Sequence, residues 1–247
     1  MALRVAVFGA YGAMGTAACA AIDATEDLHL VAQLGRDDPI GDLQDVDLAV
    51  DLTHPDAVMS NIGRCVRRGV HMVVGTSGFD ADKLDRVDQL VSEHPPVGVV
   101  IAPNFSIGAV LMMRFAAEAA PYFASAEVIE LHRDTKPDAP SGTAQRTAEL
   151  IAAARRDAGS PAMPDATTSA REGARGADVD GVHVHSVRLR GLLAHQEVLL
   201  GTEGEVLTLR HDSLDRSSFM PGLLIAIRAA PYHPGLTVGL ERLLWPS

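Results

Sequence analysis

Three glycines spaced three apart, Gly9-Ala10-Tyr11-Gly12-Ala13-Met14-Gly15, follow directly on an apolar run at residues 3–8. A strand that enters such a turn and leaves it as a helix has few folds open to it. Gly9 permits the tight turn, Gly12 lets the backbone approach a pyrophosphate, and Gly15 allows close helix–strand packing. The helix start adds backbone N–H groups and the positive end of a dipole, both suited to an anion. A merely tight strand-to-helix connection would also use glycine, so the surrounding pattern has to decide.

That pattern repeats. Short apolar runs at residues 3–8, 28–34, 48–51, 71–74 and 97–101 read as strands, with helical patterns at 12–25, 56–68 and 81–92 between them. Strand and helix in alternation imply crossover units and a parallel sheet covered on both faces. The handedness rule then gives a doubly wound, Rossmann-type α/β domain. The rhythm changes afterwards. A helix is expected at 108–120, a strand at 126–132, a helix at 143–155 and a long loop over 157–180. Three strands follow at 182–190, 196–200 and 206–211, with residues 201–205 as a hairpin connection. Ser213 or Asp215 can cap a last helix running to about residue 229, and residues 236–238 return as a strand. The expected division is residues 1–105 plus 214–247 as a dinucleotide-binding domain. Residues 106–213 form an α+β domain on a mixed sheet, for substrate binding and oligomerisation.

Composition narrows the function classes. A formal charge of -11 argues against phosphate-backbone binding, which needs clustered Lys and Arg. Aromatics at 4% argue against stacking platforms for single-stranded nucleic acid. An anionic small molecule remains compatible, because a local basic pocket works inside an acidic protein. Cys19 and Cys65 lie in helical segments and read as packed thiols, not as a disulfide framework. No apolar run is long enough to span a membrane. The first residues enter a strand pattern with no cleavable leader, so a cytoplasmic location and no membrane partner are expected.

The end of the second strand discriminates between nicotinamide cofactors. NAD sites usually place an acidic residue there for the ribose 2′-OH, whereas a nearby Arg accommodates a 2′-phosphate. Here the segment is Gln33-Leu34-Gly35-Arg36-Asp37-Asp38. Gly35 occupies the acidic position and Arg36 follows, so NADPH is the expected preference, with NADH possible. The alternative is that Arg36 is a solvated loop charge paired with Asp37 or Asp38.

Three later segments are more specific: Gly75-Thr76-Ser77-Gly78, Ala102-Pro103-Asn104-Phe105-Ser106-Ile107-Gly108, and Glu130-Leu131-His132-Arg133-Asp134-Thr135-Lys136-Pro137-Asp138-Ala139-Pro140-Ser141-Gly142-Thr143-Ala144. With the N-terminal glycines, Ala194-His195-Gln196-Glu197-Val198, and the stretch from His211 to Phe219, they make nearly the whole chain resemble the dihydrodipicolinate (4-hydroxy-tetrahydrodipicolinate) reductase family, with an actinobacterial layout. The resemblance implies NAD(P)H-dependent reduction of 4-hydroxy-tetrahydrodipicolinate to tetrahydrodipicolinate, in diaminopimelate and lysine synthesis. It implies a homotetramer joined through sheets of the second domain. It assigns Gly9, Ala10, Tyr11, Gly12, Ala13, Met14, Arg36 and Thr53 to the cofactor, with Gly75, Thr76 and Ser77 beside the nicotinamide and Ala102, Pro103, Asn104 and Phe105 continuing that wall. His132 and Lys136 become the acid–base pair, brought together by the loop between them. The dicarboxylate substrate falls to Arg133, Lys136, Ser141, Gly142 and Thr143. A histidine suits proton transfer near neutral pH. Hydroxyl and N–H groups at a helix start suit a carboxylate, although Ser141 there is also what a plain N-cap looks like.

The chain departs from the family at three places. Arg133 stands where a second histidine is usual, Leu52 where Phe is frequent, and Ser77 where Thr is usual. Arg133 cannot titrate near neutral pH but can clamp a carboxylate. It motivates the alternative of a reductase for another cyclic imine carboxylate; a non-catalytic NADPH-binding protein is the further alternative. A semialdehyde dehydrogenase on a similar plan needs a nucleophilic Cys, and neither cysteine sits beside a Gly-rich turn. His183 and His185 share a strand face, but a catalytic zinc needs three protein ligands, so no metal is expected and these histidines are assigned to a surface or subunit interface.

Overall fold

The structure is a computed structural model that describes residues 2–36, 38, 41 and 43–245. The chain divides into two compact units, Met1–Ile107 with Arg216–Ser247, and Gly108–Asp215.

The first unit is built on a six-stranded parallel sheet. Its strands are β1 (Leu3–Phe8), β2 (Leu28–Leu34), β3 (Leu48–Asp51), β4 (His71–Val74), β5 (Gly98–Ile101) and the C-terminal β11 (Gly235–Val238), in spatial order β2-β1-β3-β4-β5-β11. Strands β3, β4 and β5 are apolar along almost their whole length because helices cover both faces. Helices α2 (Pro55–Val66) and α3 (Ala81–Ser92) pack Val58, Ile62, Cys65, Val87 and Val91 against Phe8, Ala49, Met72 and Val99. Helix α1 (Ala13–Asp23) meets α6 (Met220–Ala229) and packs on β1 and β2. Local signals set the helix starts. Pro55 stands in the first turn of α2, and the Asp80 carboxylate accepts from the Lys83 N–H at 2.8 Å to cap α3.

The second unit carries a mixed five-stranded sheet, order β10-β9-β6-β8-β7. Strand β6 (Ser125–His132) runs parallel to β8 (Val182–Arg188) and antiparallel to β9 (Ala194–Thr202), which pairs with β10 (Glu205–Ser213). Helices α4 (Ile107–Ala119) and α5 (Gly142–Asp157) bury Met112, Ala116, Ala148 and Ile151 against Val128, Val184, Val198 and Leu200 on one face. By the strand register, Glu127, Ile129, His183, His185, Glu197, Leu199, Val206 and Arg210 lie on the other face.

Two expectations change. The segment 157–180 is not loop throughout, because β7 (Ala177–Val179) pairs antiparallel with β8 across the Asp180-Gly181 turn. Both turn residues have positive φ, 53° and 86°, the geometry of a two-residue hairpin. The last helix is capped by neither Ser213 nor Asp215. Ser213 ends β10, a short 3₁₀ turn occupies Arg216–Phe219, and α6 begins at Met220. Pro221 decides this, since proline is tolerated only in the first turn of a helix. A final short helix, α7 (Glu241–Leu244), follows β11.

Candidate active site

In the first unit, the chain runs outward from β1 to β2 and then returns to the other side of β1 for β3. The carboxyl ends of β1 and β3 therefore flank a topological switch point, where open α/β sheets bind ligands. The three glycines there have three distinct geometries. Gly9 has φ of +76°, and a Cβ on it would lie 2.5 Å from the Leu52 carbonyl oxygen. Gly15 is buried, and a Cβ there would overlap the backbone of Gly9 and Ala10. Gly12 is exposed and donates its N–H to the Gly9 carbonyl at 3.1 Å. No side chain caps the helix that starts on Gly12. Ala10 is buried beneath the turn, Tyr11 and Ala13 are exposed and Met14 is half-buried. A turn that leaves a helix start uncapped and admits no side chain at two of its glycines fits a dinucleotide phosphate.

At the end of β2, Gly35 donates its N–H to the Asp38 carboxylate at 2.7 Å. A Cβ on Gly35 would meet the exposed Tyr11 ring at 2.9 Å. Arg36 is exposed, and among the described residues no carboxylate pairs with it. Asp38 is thus engaged by backbone, and Asp37, the other partner considered for Arg36, lies outside the described residues.

The loops after β3 and β4 are tied together by one buried carboxylate that sequence reasoning did not single out. Asp51 accepts from the Thr53 N–H at 3.0 Å, the Thr53 hydroxyl at 2.7 Å, Asn61 Nδ2 at 2.7 Å and the Thr76 hydroxyl at 2.8 Å. It thereby fixes Thr53, Thr76 and α2 relative to one another. Gly75 lies against Leu52 and Phe105; a Cβ on it would stand 2.6 Å from the Phe105 ring. Leu52 thus fills space in that wall. Ser77 and Pro103 are exposed, Ala102 is buried, and Asn104 Oδ1 accepts from the Ser106 N–H at 2.8 Å.

In the second unit, β6 ends in His132 and the loop after it carries Arg133 and Lys136 before α5 begins. The centre of this region is Glu130, whose side chain is fully buried. Its Oε1 accepts from the Ser141 N–H at 3.1 Å and Arg188 Nη2 at 2.8 Å. Its Oε2 accepts from Arg188 Nη1 at 2.8 Å and from His132 Nδ1. Burial alone would push this carboxyl up, but hydrogen bonds from His132, Arg188 and Ser186 outweigh it and hold it down at about 2. His132 keeps a small exposed surface, 15% of its side chain. Ser141 does cap α5, accepting from the Ala144 N–H at 3.2 Å, and Gly142 is exposed at the first helical position with Thr143 half-buried beside it. Lys136 Nζ pairs with Asp138 at 2.7 and 2.8 Å, and among the described residues no hydrogen bond joins it to His132. Burial would lift the Asp138 carboxyl, but the Lys136 hydrogen bond, a backbone hydrogen bond and the charges of Lys136 and Arg188 together outweigh this and hold it below its ordinary value. Arg133 is exposed. The arrangement is an imidazole held in a fixed pose by a buried carboxylate that also holds the helix start, with the Lys136 ammonium on the loop between them, which suits proton delivery to an anionic substrate.

Both cysteines are buried and not joined in a disulfide. Burial, reinforced by Asp51, pushes the Cys65 thiol up to about 12, and burial raises Cys19 as well. Neither is a nucleophile at neutral pH. His185 Nε2 bonds Glu127 at 2.7 Å, and among the described residues no group of three or more His, Cys, Asp or Glu is placed to hold a metal. No helix among the described residues is long and apolar enough to cross a membrane.

Comparison with known proteins agrees with this geometry. The family model for the dihydrodipicolinate reductase N-terminus matches residues 3–105, and that for its C-terminus matches residues 108–244. The chain is 60% identical over 244 residues to 4-hydroxy-tetrahydrodipicolinate reductase of Streptomyces avermitilis, covering 98% of each chain. It is 58% identical to the protein of the same name from Nocardia farcinica, covering 99% of each. Among solved structures, the dipicolinate-bound dihydrodipicolinate reductase from Paenisporosarcina sp. TG-14 superposes with a TM-score of 0.82 at 39% identity, over 98% of this chain and 99% of that one. A probable dehydrogenase from Thermotoga maritima, at 12% identity and TM-score 0.63, shares the fold. With both halves matched and relatives this similar along the full chain, the protein belongs to the dihydrodipicolinate reductase family.

Proposed function

We propose that the protein reduces 4-hydroxy-tetrahydrodipicolinate to tetrahydrodipicolinate with a nicotinamide nucleotide, a step of diaminopimelate and lysine synthesis. The observation that carries this is the His132–Glu130 arrangement beside Lys136 and the Ser141 helix start, in a chain whose full-length relatives bear the name of that reductase. Gly9 to Met14 would hold the pyrophosphate. Thr53, Gly75, Thr76, Ser77 and the segment Ala102 to Phe105 would hold the nicotinamide half. The nucleotide supplies hydride when bound; the protein supplies orientation and the proton. His132 presents Nε2, the nitrogen not engaged by Glu130, as the proton donor at the reacting end of the substrate. Lys136 exchanges Asp138 for a substrate carboxylate, and the N–H groups at the start of α5 take the other. Arg133, exposed beside them, is a second clamp for the dianion.

NADPH is the preferred nucleotide on this reading. Arg36 is free of described carboxylates and supplies the guanidinium that a 2′-phosphate needs. NADH remains usable because the Asp38 carboxylate stands next to the Gly35 N–H at 2.7 Å, where a ribose hydroxyl could be accepted. The reaction is assigned to the cytoplasm, and the assembly is a homotetramer. The support for the tetramer is the open face of the second sheet, where Val206 is 68% exposed in the single chain.

The deciding assay follows NADPH oxidation with the condensation product of pyruvate and aspartate semialdehyde. Turnover with this substrate and little with other cyclic imine carboxylates is expected. The reverse preference would move the assignment to a different imine and make Arg133 the specificity determinant, and no turnover with any imine would leave a nucleotide-binding protein.

A further inference from the structure

We propose that Glu130 is a positioning residue, which sets the tautomer and ring orientation of His132 and, through Arg188, the course of the loop that carries Lys136. The inference rests on the reading of His132 as the proton donor.

The strand pattern raises the question. Ala126, Val128 and Glu130 point to the same face of β6, and the first two are buried in the apolar core beneath α4 and α5. A carboxylate at the third position breaks that series at a desolvation cost, and buried ion pairs by themselves are weak sources of stability. Its geometry is that of a hub. Each oxygen has at least two donors, and the donors come from different elements: the His132 ring at the end of β6, the Arg188 guanidinium at the end of β8, and the Ser141 N–H at the start of α5. Arg188 extends the reach, since its Nη2 also donates to the Asp138 carbonyl, two residues beyond Lys136. A single carboxylate therefore joins the proton donor, the cationic loop and the helix start.

The chemical consequence is specific. With Nδ1–H donated to Glu130, a neutral His132 has its lone pair on Nε2, and a protonated one has its transferable proton there. The ring is also barred from flipping, since rotation would break the Nδ1 bond and present the wrong nitrogen. A purely structural ion pair would need only Arg188 and would be indifferent to which imidazole nitrogen faces it.

The first test uses the unmodified protein. Nitrogen-15 NMR of the histidines at a pH where His132 is neutral is expected to show its Nδ1–H tautomer; an Nε2–H tautomer overturns the proposal whatever the variants do. The second test compares Glu130→Gln with His132→Gln. Glu130→Gln is expected to keep the native circular dichroism, lower kcat about 100-fold, change KM less than about 3-fold and scramble the His132 tautomer. Wild-type kcat and tautomer in a folded Glu130→Gln protein overturn the positioning role. Near wild-type activity in His132→Gln would instead remove the proton-donor reading, while the tautomer measurement still reports on Glu130. If Glu130→Gln does not fold, Glu130→Asp takes its place. A shortened carboxylate is expected to retain folding while losing kcat more than KM, and an unchanged kcat in that variant counts against the proposal.

Discussion

At the residue scale, charge placement in small, dry surroundings decides most of the chemistry. Glu130 is held at about 2 in the folded protein, against an ordinary 4.5, so it binds fewer protons folded than unfolded at mildly acid pH. Its stabilisation is complete above about pH 4.5 and disappears as the pH falls towards 2; its size is on the order of 3 kcal/mol. The stability gap between wild type and Glu130→Gln in urea unfolding should therefore narrow steadily from pH 5 to pH 2. A gap that stays constant would show that the depressed carboxyl is not its source. For Lys136→Ala, the loss of a carboxylate partner should raise KM for the dicarboxylate and lower kcat/KM by roughly 100-fold, measured by steady-state NADPH oxidation. Arg36→Ala should lower the NADPH-to-NADH ratio of kcat/KM about tenfold, the size of one lost charge-assisted hydrogen bond; an unchanged ratio would return Arg36 to the status of a solvated loop charge. His132, Arg133 and Lys136 were legible as residue types in a motif. Glu130 stands in the same motif but is not marked by its type, because a glutamate in a strand reads as a solvent-facing residue until the alternation with Ala126 and Val128 is followed to its inward end.

At the element scale, loops are positioned by what lies between them. Asp51 collects donors from the turn after β3, from α2 and from the loop after β4. Asp51→Asn keeps the volume but places an NH₂ among donors, so it should cost about 1–3 kcal/mol in thermal or denaturant unfolding and raise KM for the nucleotide. Gly75→Val should act differently. Its side chain would have to displace Phe105 and Leu52, an overpacking of about 1–3 kcal/mol, and nucleotide affinity should fall more than stability; isothermal titration separates the two. The strands of the first sheet were readable because a parallel strand covered on both faces has to be apolar throughout. Strand β7 was not, since three half-buried or exposed residues carry no periodicity, although the Asp180-Gly181 pair beside it was a hairpin signal. The start of α6 lies later than the caps suggest: Ser213 and Asp215 are good caps in isolation, but Ser213 pairs with Ala194 in the β9–β10 ladder.

At the scale of the whole molecule, the second sheet covers one face with α4 and α5 and presents the other with Ile129, Leu199 and Val206 among the hydrogen-bonded pair Glu127–His185 and the ion pair Glu197–Arg210. A face of this kind should be buried between copies. Leu199→Asp should shift the light-scattering mass towards the monomer, and a wild-type protein already monomeric at micromolar concentration would remove the tetramer. The amino-acid sequence alone determined the doubly wound sheet, its glycine cradle and the list of chemistry-bearing side chains, because strand and helix periods, turn residues and short motifs are local properties of a chain. Only the tertiary structure decided which carboxylates govern the site. Asp51 and Glu130 owe their roles to donors that arrive from 25 residues away in one case and 58 in the other. Their loss of water on burial is what makes those bonds matter, and partners that far along the chain are not written in any local pattern.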